Sequence, residues 1–124
     1  MTENFEKKKY ERKIQMFVSQ FIKNTLKDPR LQFLSLTKVE LSNDFSHAIL
    51  YWDSFGTGES IDQNEIAGVL NKSSGKLRKL LADSVKYRRV PELHFKYDSQ
   101  YEDEMKIEIL LQNDRNRTPS DELL

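Results

Sequence analysis

Between residues 72 and 89 the chain carries Lys72, Lys76, Arg78, Lys79, Lys86, Arg88 and Arg89. Lys72, Lys76, Lys79 and Lys86 recur at steps of four, three and seven, the spacing that gathers residues on one face of a helix. Arg78 and the Arg88-Arg89 pair widen that patch, and Leu77, Leu80, Leu81 and Val85 occupy the opposing side. Ammonium and guanidinium groups displayed in this way neutralise phosphates and release condensed counterions. Such contacts set position and strength, and they read no base identity. A second cluster, Lys7, Lys8, Lys9, Arg12 and Lys13, crowds the start of another helical run. Cations there oppose the helix macrodipole, at a cost of a few tenths to about 1 kcal/mol. An external anion explains them better than local stability does. The competing reading is that these cations balance acidic segments of the same molecule.

The overall charge argues neither way until it is divided along the chain. Twenty Lys and Arg meet 20 Asp and Glu in 124 residues, for a net charge of zero. Residues 1–30 hold 8 cations against 4 acids, and residues 70–96 hold 8 against 2. Residues 40–65 hold 6 acids and no cation, and residues 98–124 hold 8 acids against 3 cations. Segregation on this scale is a cue for a polyanionic partner.

Other chemistry has little material. Cysteine is absent, which removes disulfides, thiol catalysis and cysteine-ligated metals. His47 and His94 are the only imidazoles, so a three-histidine metal site is excluded. Neither has a second histidine at helical or alternate-strand spacing, and both read as surface or hydrogen-bonding residues. Glu102, Asp103 and Glu104 are consecutive and read as a solvated face, not an acid–base pair. Ser73 and Ser74 lack the context of a nucleophile elbow. Gly56-Thr57-Gly58 is a loop without the Gly-Lys-Ser/Thr of a phosphate cradle. No catalysis, cofactor or metal is expected. No apolar run approaches the ~18 residues of a membrane span, and no secretory signal is visible, so a soluble cytoplasmic protein is expected.

The elements that must position the cations follow from periodicity. Ile14, Phe17, Val18, Phe21, Ile22 and Leu26 define the first helix, which Asp28-Pro29 should stop. Residues 33–42 have strand character with a broken phase. Val39 and Leu41 point one way and Leu34 and Leu36 the other, through either a bulge or a start buried on both faces. Asn43-Asp44 is turn chemistry, and His47–Phe55 forms a second, antiparallel strand with Ala48, Leu50 and Trp52 inward. Ser60 and Gln63 make a capping box for a helix carrying Ile66, Val69 and Leu70. Leu77, Leu80, Leu81 and Val85 continue it beyond Ser73-Ser74-Gly75. Glycine costs ~1 kcal/mol in a helix interior, so two helices meeting at a kink are expected there. Leu93, Phe95 and Tyr97 alternate in a third strand, which so long a crossover allows to pair in parallel. Met105, Ile109 and Leu110 suggest a last helix. The expected class is α+β, a three-stranded sheet with helices on one face. Residues 1–113 make one domain, and 114–124 a flexible C-terminal tail.

Four strings make the sequence recognisable: Lys27-Asp28-Pro29-Arg30-Leu31, Val39-Glu40-Leu41-Ser42-Asn43-Asp44, Leu70-Asn71-Lys72-Ser73-Ser74-Gly75-Lys76-Leu77-Arg78 and Arg89-Val90-Pro91-Glu92-Leu93-His94-Phe95-Lys96-Tyr97-Asp98. In order and spacing they resemble the bacterial ribosome-binding factor A family across roughly residues 5–113. The resemblance implies a type-II KH-like domain of order α-β-β-α-kink-α-β. It also implies a factor that binds the small (30S) ribosomal subunit, assists maturation of 16S rRNA and then leaves. KH domains in general clamp nucleotides with a Gly-x-x-Gly loop. The family has an Ala-x-Gly kink in its place, and here Ser73-Ser74-Gly75 stands there, with serine for alanine. Ribosomal proteins and a releasing GTPase are further partners that the resemblance implies.

On this reading a monomer grips rRNA backbone with Lys72, Lys76, Arg78, Lys79, Lys86, Arg88 and Arg89. Lys7, Lys8, Lys9, Arg12 and Lys13 extend the footprint, and Gly75 sets the helix angle. One alternative is a protein–protein adaptor that docks the same basic face on an acidic partner. A hydrolase using the carboxylates near Glu102 is another.

Overall fold

The structure, a computed structural model, describes residues 2–54, 62–86, 89–99 and 110–111. Tyr10, Ile14, Val18 and Ile22 fall at four-residue steps and are all buried, which fixes the inward stripe of helix α1 (Thr2–Phe21). Its continuation, Ile22–Leu26, is a π-helical turn closed by Lys27 in the left-handed region at φ 49°. Asp28 then turns the chain as its sequence predicts. Its carboxylate accepts the Arg30 N–H at 2.9 Å and caps the short 3-10 turn Pro29–Leu31. The Arg30 side chain, and then that N–H, hold the Asp28 carboxyl below its usual range.

Strand β1 (Leu34–Leu41) answers the question its broken phase raised. Leu36 pairs with Trp52 and Lys38 with Tyr51, leaving Thr37 as the extra residue of a bulge. That single insertion brings Leu34, Leu36, Val39 and Leu41 all to the buried side. Strand β2 (His47–Ser54) runs antiparallel to β1 and buries Ala48, Leu50 and Trp52. Between the strands, the Asp44 carboxylate accepts from the Ser46 hydroxyl at 2.6 Å, the Ser42 hydroxyl at 2.8 Å and the Ser46 N–H at 3.1 Å. The two hydroxyls, Ser46 first, hold this carboxyl far below its ordinary range.

Helix α2 (Gln63–Ser84) buries Ile66, Leu70, Leu77 and Leu81. Its cap is Asp62, whose carboxylate accepts the Asn64 N–H at 3.0 Å; the expected cap Ser60 lies outside the described residues. The residues expected to form two helices around Ser73-Ser74-Gly75 run as one continuous helix from Gln63 to Ser84. The physical reason is burial on both sides of the glycine. Leu70 and Leu77 are fully buried in the core, and each buried leucine contributes about 1.5–3 kcal/mol, more than the ~1 kcal/mol that glycine costs. Ser74 donates its hydroxyl to the Asn71 carbonyl at 2.9 Å, within the helix. The chain leaves helical geometry only at Val85 (φ −110°, ψ 138°).

Strand β3 (Glu92–Tyr97) returns parallel to β2, so the sheet order is β1-β2-β3. Helix α1 packs on β1, α2 packs on β3, and the helices touch one another. Two side chains of α1 also occupy the free edge of β1. Gln15 donates to the Leu36 carbonyl and Glu11 accepts the Leu41 N–H, each at 2.8 Å. An edge so covered offers little to another strand. Of the expected last helix, Leu110 and Leu111 are helical and exposed. Met105, Ile109 and the 114–124 tail lie outside the described residues.

Candidate nucleic-acid interface

Lys72, Lys76 and Lys79 are exposed and stand on α2 away from its buried leucines. At 3.6 residues per turn their spacing makes one stripe. Its next position is Asp83, also exposed, which the cation spacing alone did not bring forward. Lys86 departs from the expectation. The helix ends at Ser84, so this exposed lysine follows the helix and does not extend the stripe. Buried Val85 is the cause: its extended backbone seats the side chain in the core and redirects the chain. Arg88 lies outside the described residues.

Both described arginines of the patch have structural partners. Arg78 donates through Nη2 to the Val90 carbonyl at 3.0 Å, bracing the approach to β3. Arg89 donates through Nη1 to the Asp44 carbonyl at 3.3 Å, and its own carbonyl accepts from the Tyr10 hydroxyl at 3.2 Å. A guanidinium has five N–H donors, so one such bond leaves others for an anion. At the same turn Lys7 donates to Asn43 Oδ1 at 3.2 Å. The turn of Asn43 and Asp44 therefore joins the start of α1 to the segment after α2. Lys8, Lys9 and Arg12 are exposed along that start, and Lys13 is half-buried.

The ion pairs among the described residues join Arg30 to Asp28 and Glu65, Lys38 to Glu40, and the two histidines to Glu92. None takes a cation from the α2 stripe, Arg78, Lys86, Arg89, or Lys7, Lys8, Lys9 and Arg12. Gly75 is exposed, and a Cβ built on it would meet nothing within 4 Å. Close approach does not require glycine there. Beside it a groove of about 430 Å³ opens between α2 and β3, lined by Asn71, Ser74, Arg78, His94 and Phe95. Sequence spacing gave no sign of this groove, because strand pairing builds its far wall. The same pairing brings His47, Glu92 and His94 together, the one group among the described residues with the spacing of metal ligands.

A helix-backed mixed sheet with one parallel pair, entered by α-β-β and completed through α2 to β3, defines a KH-like α+β domain. The ribosome-binding factor A family model matches residues 6–111. The chain belongs to that family. Ribosome-binding factor A of Syntrophomonas wolfei is 39% identical over 101 residues, spanning 80% of this chain and 81% of the relative. That of Halothermothrix orenii is 36% identical over 104 residues, 84% of each. Among solved structures, the crystal structure of ribosome-binding factor A from Thermus thermophilus superimposes with a TM-score of 0.65 at 28% identity, covering 73% of this chain and 94% of the other. A homology model of the Thermus thermophilus factor, fitted into a cryo-EM map of a 30S–RbfA complex, matches with a TM-score of 0.60 at 27% identity, covering 72% and 91%.

Proposed function

We propose that this protein binds the small (30S) ribosomal subunit and assists maturation of 16S rRNA without catalysing a reaction. The observation that carries the reading is the exposed row Lys72, Lys76 and Lys79, which has no carboxylate partner among the described residues. The related factor fitted as a 30S complex supplies the partner. Phosphates along an RNA strand meet this row, Arg78 beside it and Lys86 and Arg89 beyond the end of α2 add further contacts, and Arg88 is a candidate on sequence grounds. Through the turn at Asn43 the footprint reaches Lys7, Lys8, Lys9, Arg12 and Lys13. Binding then favours one conformation of an immature RNA, which is a shift of population. The KH-like domain spans residues 1–113 and acts as a monomer.

The test is co-sedimentation with purified 30S subunits across a salt series. Each phosphate contact steepens the fall of log affinity with log salt by about 0.9 on duplex nucleic acid and about 0.7 on single strands. Arg78→Ala with Lys79→Ala weakens binding and flattens that slope. Because Arg78 also holds the Val90 carbonyl, Lys72→Ala/Lys76→Ala/Lys79→Ala is the cleaner variant, with an expected loss of about two units of slope. Wild-type affinity in that variant would remove α2 from the interface. An adaptor for an acidic protein would keep its partner and ignore naked rRNA.

A further inference from the structure

In the parallel register of β2 and β3, His47 stands opposite Glu92 and Ile49 opposite His94. Residues two apart on a strand share a face, so His47, Glu92 and His94 emerge together on the solvent side of the sheet. His47 Nδ1 lies 3.0 Å from His94 Nε2. Glu92 Oε2 lies 3.5 Å from the first nitrogen and 3.9 Å from the second. Ligands bound tetrahedrally at about 2.0–2.2 Å stand about 3.3–3.6 Å from one another. The three observed separations bracket that value. All three side chains are half exposed, at 54%, 57% and 51% for His47, Glu92 and His94, so an ion reaches them from solvent. The Glu92 N–H donates to the Ser46 carbonyl at 2.9 Å, which fixes the strand end that carries the carboxylate.

We propose that His47, Glu92 and His94 form a binding site for a zinc ion, with the fourth position left to water. Two imidazoles and one carboxylate are a donor set zinc accepts. Magnesium and calcium take oxygen ligands and do not suit it. An N–H···N bond between two neutral rings accounts for the 3.0 Å contact alone. It does not engage the Glu92 carboxylate, whose Oε2 stands within 4 Å of both nitrogens. The ligands project from paired strands and are held close to their bound arrangement before the ion arrives. The ion clasps β2 to β3 and, by binding only the folded chain, stabilises it. The inference is independent of the RNA reading.

The experiment uses the full chain without an affinity tag, stripped with chelator and titrated with zinc chloride by calorimetry, with melting followed in parallel. One zinc per chain is expected, together with a melting temperature that climbs as zinc is added. His47→Ala and His94→Ala each weaken zinc binding at least about tenfold and remove that climb, and both melt close to wild type without metal. A thousandfold excess of magnesium leaves the zinc isotherm in place. Failure of wild type to take up one zinc per chain by about millimolar concentration would overturn the site. So would wild-type zinc affinity in either histidine variant.

Discussion

On the open face of the sheet, Lys38 sits 2.8 Å from a Glu40 oxygen and 4.7 Å from the centre of the Tyr51 ring. Lys96 approaches the same ring at 6.0 Å. On α2, Lys72, Lys76 and Lys79 have no such partner among the described residues. Both faces carry lysines, and the spacing of their neighbours separates them. Residues 38 and 40 share a strand face, so a lysine there meets a glutamate two positions on. The helical steps between 72, 76 and 79 set like beside like, each pair opposing stability by a few tenths of a kcal/mol. The sheet face settles its charge internally. The helix face carries a small standing repulsion that an external polyanion relieves.

Reversal of the helix row tests this contrast most severely. Lys72→Glu/Lys76→Glu/Lys79→Glu is expected to lower 30S affinity by well over tenfold, since three phosphate contacts become repulsions. Circular dichroism is expected to stay native because all three side chains are exposed. Retained affinity would make the two faces equivalent. Gly75→Ala separates stability from shape. The added methyl meets nothing within 4 Å, so the melting temperature rises by several degrees, in line with about 1 kcal/mol of helix propensity. Unchanged binding would show that no special freedom at residue 75 serves the RNA.

A smaller effect lies at the turn joining the basic clusters. The folded Asp44 carboxyl is depressed by its serine hydroxyls. Its contribution is therefore complete above the unfolded carboxylate range, about pH 4, and is lost as pH falls toward the folded value. Melting temperature of the wild type declines below about pH 4–5, and Asp44→Ala starts lower with a shallower acid limb. An identical acid limb in both would exclude Asp44 as its source. The smallest change is expected on the sheet. Lys38→Ala/Lys96→Ala leaves 30S affinity close to wild type, because the RNA-facing row lies on α2, and costs little stability, because exposed pairs of this kind contribute little.

The fold was legible where a period ran unbroken. The buried stripe of Ile14, Val18 and Ile22, the alternation of Ala48, Leu50 and Trp52, and the stop at Asp28-Pro29 were all visible in the chain. The bulge at Thr37 was half legible: a phase break shows, but only strand pairing distinguishes a bulge from a doubly buried start. Around Gly75 the chain stays helical from Gln63 to Ser84, because propensity is local while Leu70 and Leu77 on either side are buried in the core. Lys86 misled for a related reason, since the step of seven continues past a helix that Val85 ends. The meeting of His47 with His94 was illegible. Forty-seven residues separate them, and the parallel register that joins them leaves no mark in spacing.

Lysine reactivity bears most directly on the central contrast. Amine labelling, read residue by residue with and without 30S subunits, compares the two faces in one sample. Lys72, Lys76 and Lys79 are expected to become protected in the complex, while Lys38 and Lys96 label as in the free protein. Protection of Lys38 and Lys96, with Lys72, Lys76 and Lys79 still fully reactive, would contradict the account.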